Sequence, residues 1–126
     1  MVENYGKGVA MITQDFLGEV VTMITENIVL PVPIMYEQLS SDNRSVAIQS
    51  SPSPATHHYK GSRTSNLQFN ILTKSNSRYE ANGWLDSITN LLNQNYFEVV
   101  QEPNYLGKEN NCFIYVATFR RKIRRY

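Results

Sequence analysis

Residues 65–95 constrain the fold most, because the spacing of their apolar residues changes from period two to a helical period. Residues 66–74 alternate apolar and polar, which predicts a strand with one buried face. The apolar side of that strand carries Leu67, Phe69 and Ile71. Ser77 stands three residues before Glu80, which is the spacing of a helix capping box. We therefore predict a strand that passes directly into a helix.

The predicted second helix has a continuous apolar stripe at three- and four-residue spacing. The stripe consists of Ala81, Trp84, Leu85, Ile88, Leu91 and Leu92. The polar run 93–95 predicts its end.

An earlier stripe predicts a first helix over residues 10–28. Its members are Ile12, Phe16, Val20, Met23, Ile24 and Ile28. Pro31 and Pro33 prevent the helix from continuing.

The remaining apolar segments read as strands. Residues 34–39 and 44–50 flank a turn cluster and predict a β-hairpin. Residues 96–102 predict a strand, followed by a polar loop over 103–111. Residues 112–119 are apolar on both faces, which predicts a central strand covered on both sides.

This order of elements predicts an α+β fold, with a four- to five-stranded antiparallel or mixed sheet and two helices on one face. The 126 residues fit a single domain. We expect a flexible N-terminal arm over residues 1–9, a long projecting loop over 51–65 and a basic C-terminal tail over 120–126.

Charged residues make up only 18% of the chain, and uncharged polar residues take their place. A weakly charged surface favours a subunit that assembles, because charges are depleted from interface cores. The net charge of +1 is uneven. The last seven residues hold five of the twelve basic residues and no acidic one, so residues 1–119 have seven basic and eleven acidic residues, a net charge of −4.

Composition also bears on the cellular setting of the chain. Cys112 is the single cysteine, so an intramolecular disulfide is excluded and a buried apolar role is expected. No apolar run is long enough to span a bilayer, and no signal-peptide pattern opens the chain. We expect a product of a cytoplasm without a membrane partner.

His57 and His58 form the one cluster of catalytic type. Adjacent residues of an extended chain point in opposite directions, and no further ligand lies at metal-binding spacing. The pair also lacks a nearby nucleophile and an orienting carboxylate. The sequence therefore predicts no enzyme, metal, cofactor or small-molecule substrate. Catalysis by one of these histidines remains a weaker alternative.

The loop that carries the histidines is long for a compact domain. It is either a functional loop or a second extended hairpin, and an arm that orders on a neighbouring subunit would satisfy both interpretations. The basic tail also has two interpretations. It either contacts phosphates or forms a solubilising charged end of the last strand.

Several of these segments together resemble the minor capsid or tail terminator (tail completion) proteins of long-tailed bacteriophages. The shared pattern is a polar loop with a Tyr/Gly pair, an alternating strand that ends in lysine, and a helix with an Ala-x3-Leu-x2-Ile-x3-Leu stripe. In this chain the pattern corresponds to Tyr59, Gly61, residues 66–74, Ala81, Leu85, Ile88 and Leu92. The initial helix, the prolines and the last apolar strand also agree.

The resemblance implies a non-enzymatic virion protein of the tail or neck. Such proteins form a hexameric ring that caps the tail tube and joins it to the head-to-tail connector. The implied partners are other copies of the chain, the tail tube protein, the connector protein and DNA passing nearby in the lumen.

The resemblance also implies candidate interface residues. The loop candidates are His57, His58, Tyr59, Lys60 and Arg63. On the last strand, either Ile114, Val116 and Thr118 or the opposite side with Phe113, Tyr115 and Phe119 would meet a neighbour.

An alternative function is a small nucleic-acid-binding protein, because a basic segment gives salt-dependent contacts to phosphates. The residues that would supply these contacts are Arg120, Arg121, Lys122, Arg124 and Arg125.

Overall fold

The computed structural model describes residues 8–50 and 68–121, with side chains from residue 16 onward. The elements are α1 (Gly8–Asn27), β1 (Ile34–Tyr36), β2 (Ser45–Ser50), β3 (Gln68–Ser75), α2 (Arg78–Gln94), β4 (Phe97–Glu109) and β5 (Cys112–Arg121). The strands form one mixed sheet in the order β1-β2-β3-β5-β4. The predicted α+β class, with five strands and two helices, is confirmed.

The transition from β3 into α2 follows the sequence prediction. The Glu80 backbone N–H donates to Ser77 Oγ at 3.3 Å, so Ser77 is the N-cap. The Glu80 carboxylate binds Arg44 and Ser75 instead of completing the capping box. The Ser77 N–H donates to Ser75 Oγ at 3.0 Å, so Ser75 satisfies the donor that the box would have used.

Replacing Ser77 with alanine is expected to lower the free energy of unfolding by about 1 kcal/mol, because the Glu80 N–H loses its side-chain acceptor and keeps only the Ser77 carbonyl at 3.1 Å. Urea denaturation followed by circular dichroism measures the change. Ser77→Asp retains a capping oxygen and is the matched control. Equal loss in both variants would show that the cap oxygen does not cause the effect.

Both helices lie on the same face of the sheet, as predicted. The Phe16 ring of α1 contacts the Phe69 ring edge-on, with ring centroids 5.6 Å apart. Thr73, which shares the face of Phe69, donates its hydroxyl to the Ala81 carbonyl of α2 at 2.9 Å. The fully buried side chains of this core include Val46, Ile48, Phe69, Ile71, Leu85, Ile88, Leu92 and Phe119. We call this side the covered face.

The first two strands are parallel, so the predicted hairpin is wrong. β1 pairs with β2 in the register Ile34↔Val46. Glu37 has a left-handed backbone with φ 71°, and the Gln38 N–H donates to the Tyr36 carbonyl. This turn reverses the chain once, and the turn cluster 40–43 reverses it again. Because the chain reverses its direction twice, β2 runs parallel to β1. The sequence predicted only the second reversal.

The predicted loop over 103–111 is also wrong, because β4 continues to Glu109 and pairs with β5. Asn110 and Asn111 form the turn, both with positive φ, as a type I′ hairpin requires. The β4 register shifts three times along β5, between Val99 and Gln101, Gln101 and Asn104, and Tyr105 and Gly107. These irregularities break the alternation that would have predicted a strand.

β5 lies between β3 and β4, so its predicted central position is confirmed. The prediction that it is covered on both sides is wrong for the described residues. Phe119 is fully buried on the covered face, whereas Ile114 and Val116 on the opposite face are half-buried. The strand extends to Arg121, so Arg120 and Arg121 belong to β5 and not to a tail.

The first helix begins at Gly8, so the predicted N-terminal arm does not include Gly8 or Val9. Residues 1–7, 51–67 and 122–126 lie outside the described residues. The predicted projecting loop and the remainder of the predicted tail fall there.

Candidate interaction surfaces

The predicted interface residues divide into three groups. His57, His58, Tyr59, Lys60, Arg63, Lys122, Arg124 and Arg125 lie outside the described residues. Phe119 has no exposed surface and stacks on Phe69 with ring centroids 5.6 Å apart, so it does not contact a partner directly. Phe113 and Tyr115 are half-buried on the covered face near the β4–β5 turn.

Arg120 and Arg121 each bind a carboxylate within the chain. Arg120 lies 3.0 Å from Glu98 on the neighbouring strand, and Arg121 lies 3.6 Å from Glu19 of α1. The Arg121 guanidinium also lies 5.0 Å from the centre of the Phe16 ring. These two arginines therefore contribute to the packing of β5 against β4 and α1.

A cluster of aromatic rings with two cations lies near the β4–β5 turn. We call it the aromatic patch, and its members are Arg78, Tyr105, Lys108, Phe113 and Tyr115. The Arg78 guanidinium lies 5.5 Å from the Tyr105 ring centre and 5.2 Å from that of Phe113. Lys108 Nζ lies 5.1 Å from the Phe113 ring centre. These distances are typical of cation–π contacts.

The sheet register and the start of α2 bring the aromatic patch together. Tyr105 on β4 is the direct partner of Tyr115 on β5, and their ring centroids are 5.5 Å apart. Arg78, the first residue of α2, projects over these rings. Among the described residues, neither Arg78 nor Lys108 forms an ion pair with a carboxylate. Within the described part of the chain, the patch therefore presents two positive charges that no ion pair neutralises, beside aromatic rings.

An open groove runs between α1 and β1 at the other edge of the sheet. We call it the acidic groove, and it is lined by Gly18, Glu19, Val21, Thr22, Met23, Glu26, Asn27 and Tyr36. The Tyr36 hydroxyl reaches α1 near Gly18, at 3.9 Å from where a Cβ would stand. The lining contains two carboxylates and no lysine or arginine. Glu26 forms no ion pair with any described residue.

The acidic and basic residues are also distributed unevenly along the sequence. Residues 8–43 contain five acidic residues and no basic one, a net charge of −5. Residues 44–126 contain eleven basic and five acidic residues, a net charge of +6, and residues 1–7 contain one of each. The acidic segment forms α1, which packs on the covered face, and β1, which is an outer strand of the sheet. Five of those eleven basic residues lie outside the described residues, so the charge difference in the described structure is local: the acidic groove adjoins β1, whereas Arg78 and Lys108 lie at the rings near the β4–β5 turn.

The second face of the sheet, opposite the helices, combines apolar and polar rows. Ala47, Leu72 and Val116 are cross-strand partners on β2, β3 and β5. In the next row, Asn70 donates to the Gln49 side-chain oxygen at 3.2 Å, and the Thr118 hydroxyl donates to Asn70 at 2.8 Å. No described helix packs on this face, which carries Ile114, Val116 and Thr118 of the predicted interface.

Lys74 is buried at one end of this second face. Its exposed fraction is 5%, and its ammonium donates to the Ser40 carbonyl at 2.8 Å. Among the described residues it forms no ion pair with a carboxylate. The buried thiol of Cys112, the first residue of β5, lies 3.7 Å from the side-chain oxygen of Asn43 in the loop that also contains Ser40.

Arg44 and Glu80 form a two-pronged ion pair at the start of α2, with N···O distances of 3.1 and 2.7 Å. The hydrogen bonds from Arg44 and then Ser75 lower the pKa of Glu80 below its ordinary value of 4.5. The hydrogen bond to Glu80 raises the pKa of Arg44. The pair fixes the loop before β2 to the first turn of α2.

The lowered pKa of Glu80 predicts a modest dependence of stability on pH. The contribution is fully present above pH 4.5 and is lost as the pH falls through the lower pKa of the folded chain. We expect Glu80→Gln to show a smaller loss of stability between pH 6 and pH 3 than the wild-type chain. Urea denaturation at each pH measures this, with Asp86→Asn as the control. An identical pH dependence of wild type and Glu80→Gln would contradict the assignment.

The described residues contain no group of three or more His, Cys, Asp or Glu side chains that could hold a metal ion. Within the same residues, neither helix has the length and apolar character needed to cross a bilayer. Comparisons with protein-family models, curated proteins and solved structures find no match for this chain.

Sequence reasoning missed Arg78, Tyr105 and Lys108 of the aromatic patch and the acidic groove at Glu19, Glu26 and Tyr36. The patch joins residues that are far apart in sequence and depends on the irregular register of β4. The groove had a usable signal, which is the absence of basic residues from 8 to 43.

Proposed function

We propose that this chain is a ring-forming structural subunit of a bacteriophage tail or neck, of the tail terminator class. Its ring would cap the tail tube and join it to the head-to-tail connector. The observation that carries the proposal is that the acidic groove and the aromatic patch, which differ in the sign of their charges, lie beside the two opposite outer strands of the sheet. The resemblance of residues 59–92 to tail terminator proteins supplies the virion setting.

Opposite charges on two separate surfaces of one subunit support ring assembly for a geometric reason. A ring of identical subunits joined head to tail needs two different surfaces on each subunit. Opposite charges on those surfaces favour the head-to-tail contact and disfavour contacts between like surfaces. The second face of the sheet, with its apolar row, adds surface that a partner would bury. The low overall charge of the chain is also typical of a subunit that assembles.

The mass of the native protein tests the assembly part of this proposal. Native mass spectrometry and electron microscopy are expected to show a closed ring, with six subunits as the expected number. The ring should dissociate as salt is raised, because exposed charges are then screened. A chain that remains monomeric across the micromolar range at low salt would contradict the proposal.

The virion part of the proposal needs a genetic test. Deleting the coding sequence from the phage genome is expected to yield tails of uncontrolled length, or tails not joined to heads, in electron micrographs. Supplying the wild-type chain from a plasmid should restore joined particles. Normal particles without the chain would overturn this role and leave only an assembling protein.

Nucleic-acid binding is the second candidate function, and the aromatic patch favours it because bases stack on aromatic rings beside cations. Fluorescence anisotropy with labelled single-stranded DNA at increasing salt tests it. The variant to compare is a chain that ends at Arg121, because it lacks the last three basic residues and keeps the whole of β5. A chain that ends at Phe119 is unsuitable because it would shorten β5. Salt-insensitive or absent binding would exclude this function.

A further inference from the structure

We infer that the aromatic patch of one subunit binds the acidic groove of the next copy, and that this contact joins the subunits of the ring. The inference rests on the proposed function, and it names the two surfaces involved. Each surface is assigned from positions, charges and exposure in the described part of the chain.

The two surfaces lie beside different outer strands of the sheet. Tyr105 of the patch lies on β4, and Tyr36 of the groove lies on β1, which are the two outer strands of the sheet. Tyr36 and Tyr105 both lie on the covered face, since they are in register with Ile48 and Tyr115. A contact between patch and groove therefore joins one edge of a subunit to the opposite edge of the next.

The charges of the two surfaces are complementary. Arg78 lies against two rings, and a guanidinium held in this way still has N–H groups to donate to a carboxylate. Glu26 is the expected acceptor, because it is exposed and has no ion pair within the described residues. Glu19 already binds Arg121 at 3.6 Å and would contribute less.

Aromatic surface would supply the apolar part of the contact. Tyr105 is 43% exposed and Tyr36 is 49% exposed, while Met23 of the groove is half-buried. Exposed tyrosines and arginines are the residues most often found at the centres of protein interfaces. A second copy fits both surfaces, whereas a nucleic acid would fit the patch and be repelled by the groove.

Complementary charge reversals test the contact. The patch variant is Arg78→Glu with Lys108→Glu, and the groove variant is Thr22→Lys with Glu26→Lys. All four residues are exposed, and the groove variant leaves the Glu19–Arg121 pair in place. In each variant the two surfaces have the same sign. We expect each variant alone to require at least about a tenfold higher concentration than the wild type to form the ring, because like charges oppose each other at the contact.

Mixing the two variants in equal amounts is expected to restore the ring. The reversed patch then meets the reversed groove, and the native patch meets the native groove. Native mass spectrometry should show rings with equal numbers of the two variants. Combining all four substitutions in one chain should also restore assembly, since patch and groove are again opposite in sign.

Asp86→Lys is the matched control, because Asp86 is an exposed carboxylate of α2 outside both surfaces. This variant should assemble as the wild type does. Circular dichroism melting curves of all variants should be similar, which excludes loss of folding as the cause.

The outcomes separate this contact from the proposed function. A wild-type ring that persists in both variants, or folded variants that do not assemble when mixed, would overturn the contact and leave the ring. A monomeric wild-type chain would overturn both. If the patch variant loses affinity for single-stranded DNA while its ring is unchanged, the patch serves nucleic acid and the inference is wrong.

Discussion

Replacing Phe69 with alanine is expected to lower the free energy of unfolding by about 4 kcal/mol, within the range typical of buried phenylalanines. Phe69 has no exposed surface and lies at the centre of an aromatic cluster. Its ring centroid is 5.6 Å from those of Phe16 and Phe119 and 5.7 Å from that of Phe97. The substitution would leave a cavity where α1, β3, β4 and β5 meet.

Urea denaturation measured by circular dichroism tests this prediction. Phe113→Ala is the matched control, since Phe113 is half-buried in the aromatic patch and its truncation leaves an open site. We expect the control to lose less than half as much stability. Similar losses for the two variants would show that the aromatic cluster is not the centre of the core.

Two substitutions of Lys74 are expected to have effects of different size on the free energy of unfolding. Lys74→Met keeps an unbranched side chain and removes a buried charge that has no described carboxylate partner, so stability should change by no more than about 1 kcal/mol or should increase. Lys74→Glu places a carboxylate beside the Ser40 carbonyl, which now accepts from the ammonium at 2.8 Å. The loss of stability should be about 3 kcal/mol, because the new charge would be buried and unpaired.

The same denaturation measurement compares the two variants. Asp86→Lys is the control, because it makes a charge change of the same size at an exposed residue outside both candidate surfaces and should alter stability little. If Lys74→Met destabilises as much as Lys74→Glu, the ammonium–carbonyl contact is more important than the cost of burying the charge.

The elements that the sequence predicted well are those whose local signals agree with their tertiary environment. The β3–α2 segment has strict period-two alternation, a capping serine and a clear helical stripe. The structure places these features as predicted from Gln68 onward, with Phe69, Leu85 and Ile88 in the core, and Leu67 lies outside the described residues. Periodicity reports which side of an element is buried, so it was sufficient there.

The connections were harder to predict because they depend on single backbone conformations. The direction of β1 relative to β2 is set by the turn at Glu37, a residue type without a preference for left-handed backbone. The predicted β4 was too short because the register shifts of this strand place Pro103 and Gly107 within it. Neither effect has a periodic signal in the sequence.

The candidate surfaces were predictable only in part. Sequence reasoning predicted an interface on β5 and named Phe113 and Tyr115, which lie in the aromatic patch. It did not associate them with Arg78 or Lys108, because that proximity depends on the start of α2 and the hairpin register. Phe119 is buried and therefore does not belong to the candidate interface. The sequence could not show this, because a strand that is apolar on both sides does not reveal which side is buried.

The irregular register of β4 has a consequence for how the protein can associate. An outer strand with evenly spaced free backbone groups invites another strand to add to it, and such addition can repeat without limit. The three shifts along β4 interrupt that spacing, and β1 at the other edge is only three residues long. Filament growth by strand addition is therefore disfavoured at both outer strands of the described sheet, and a ring of the proposed kind would have to be held by side-chain contacts.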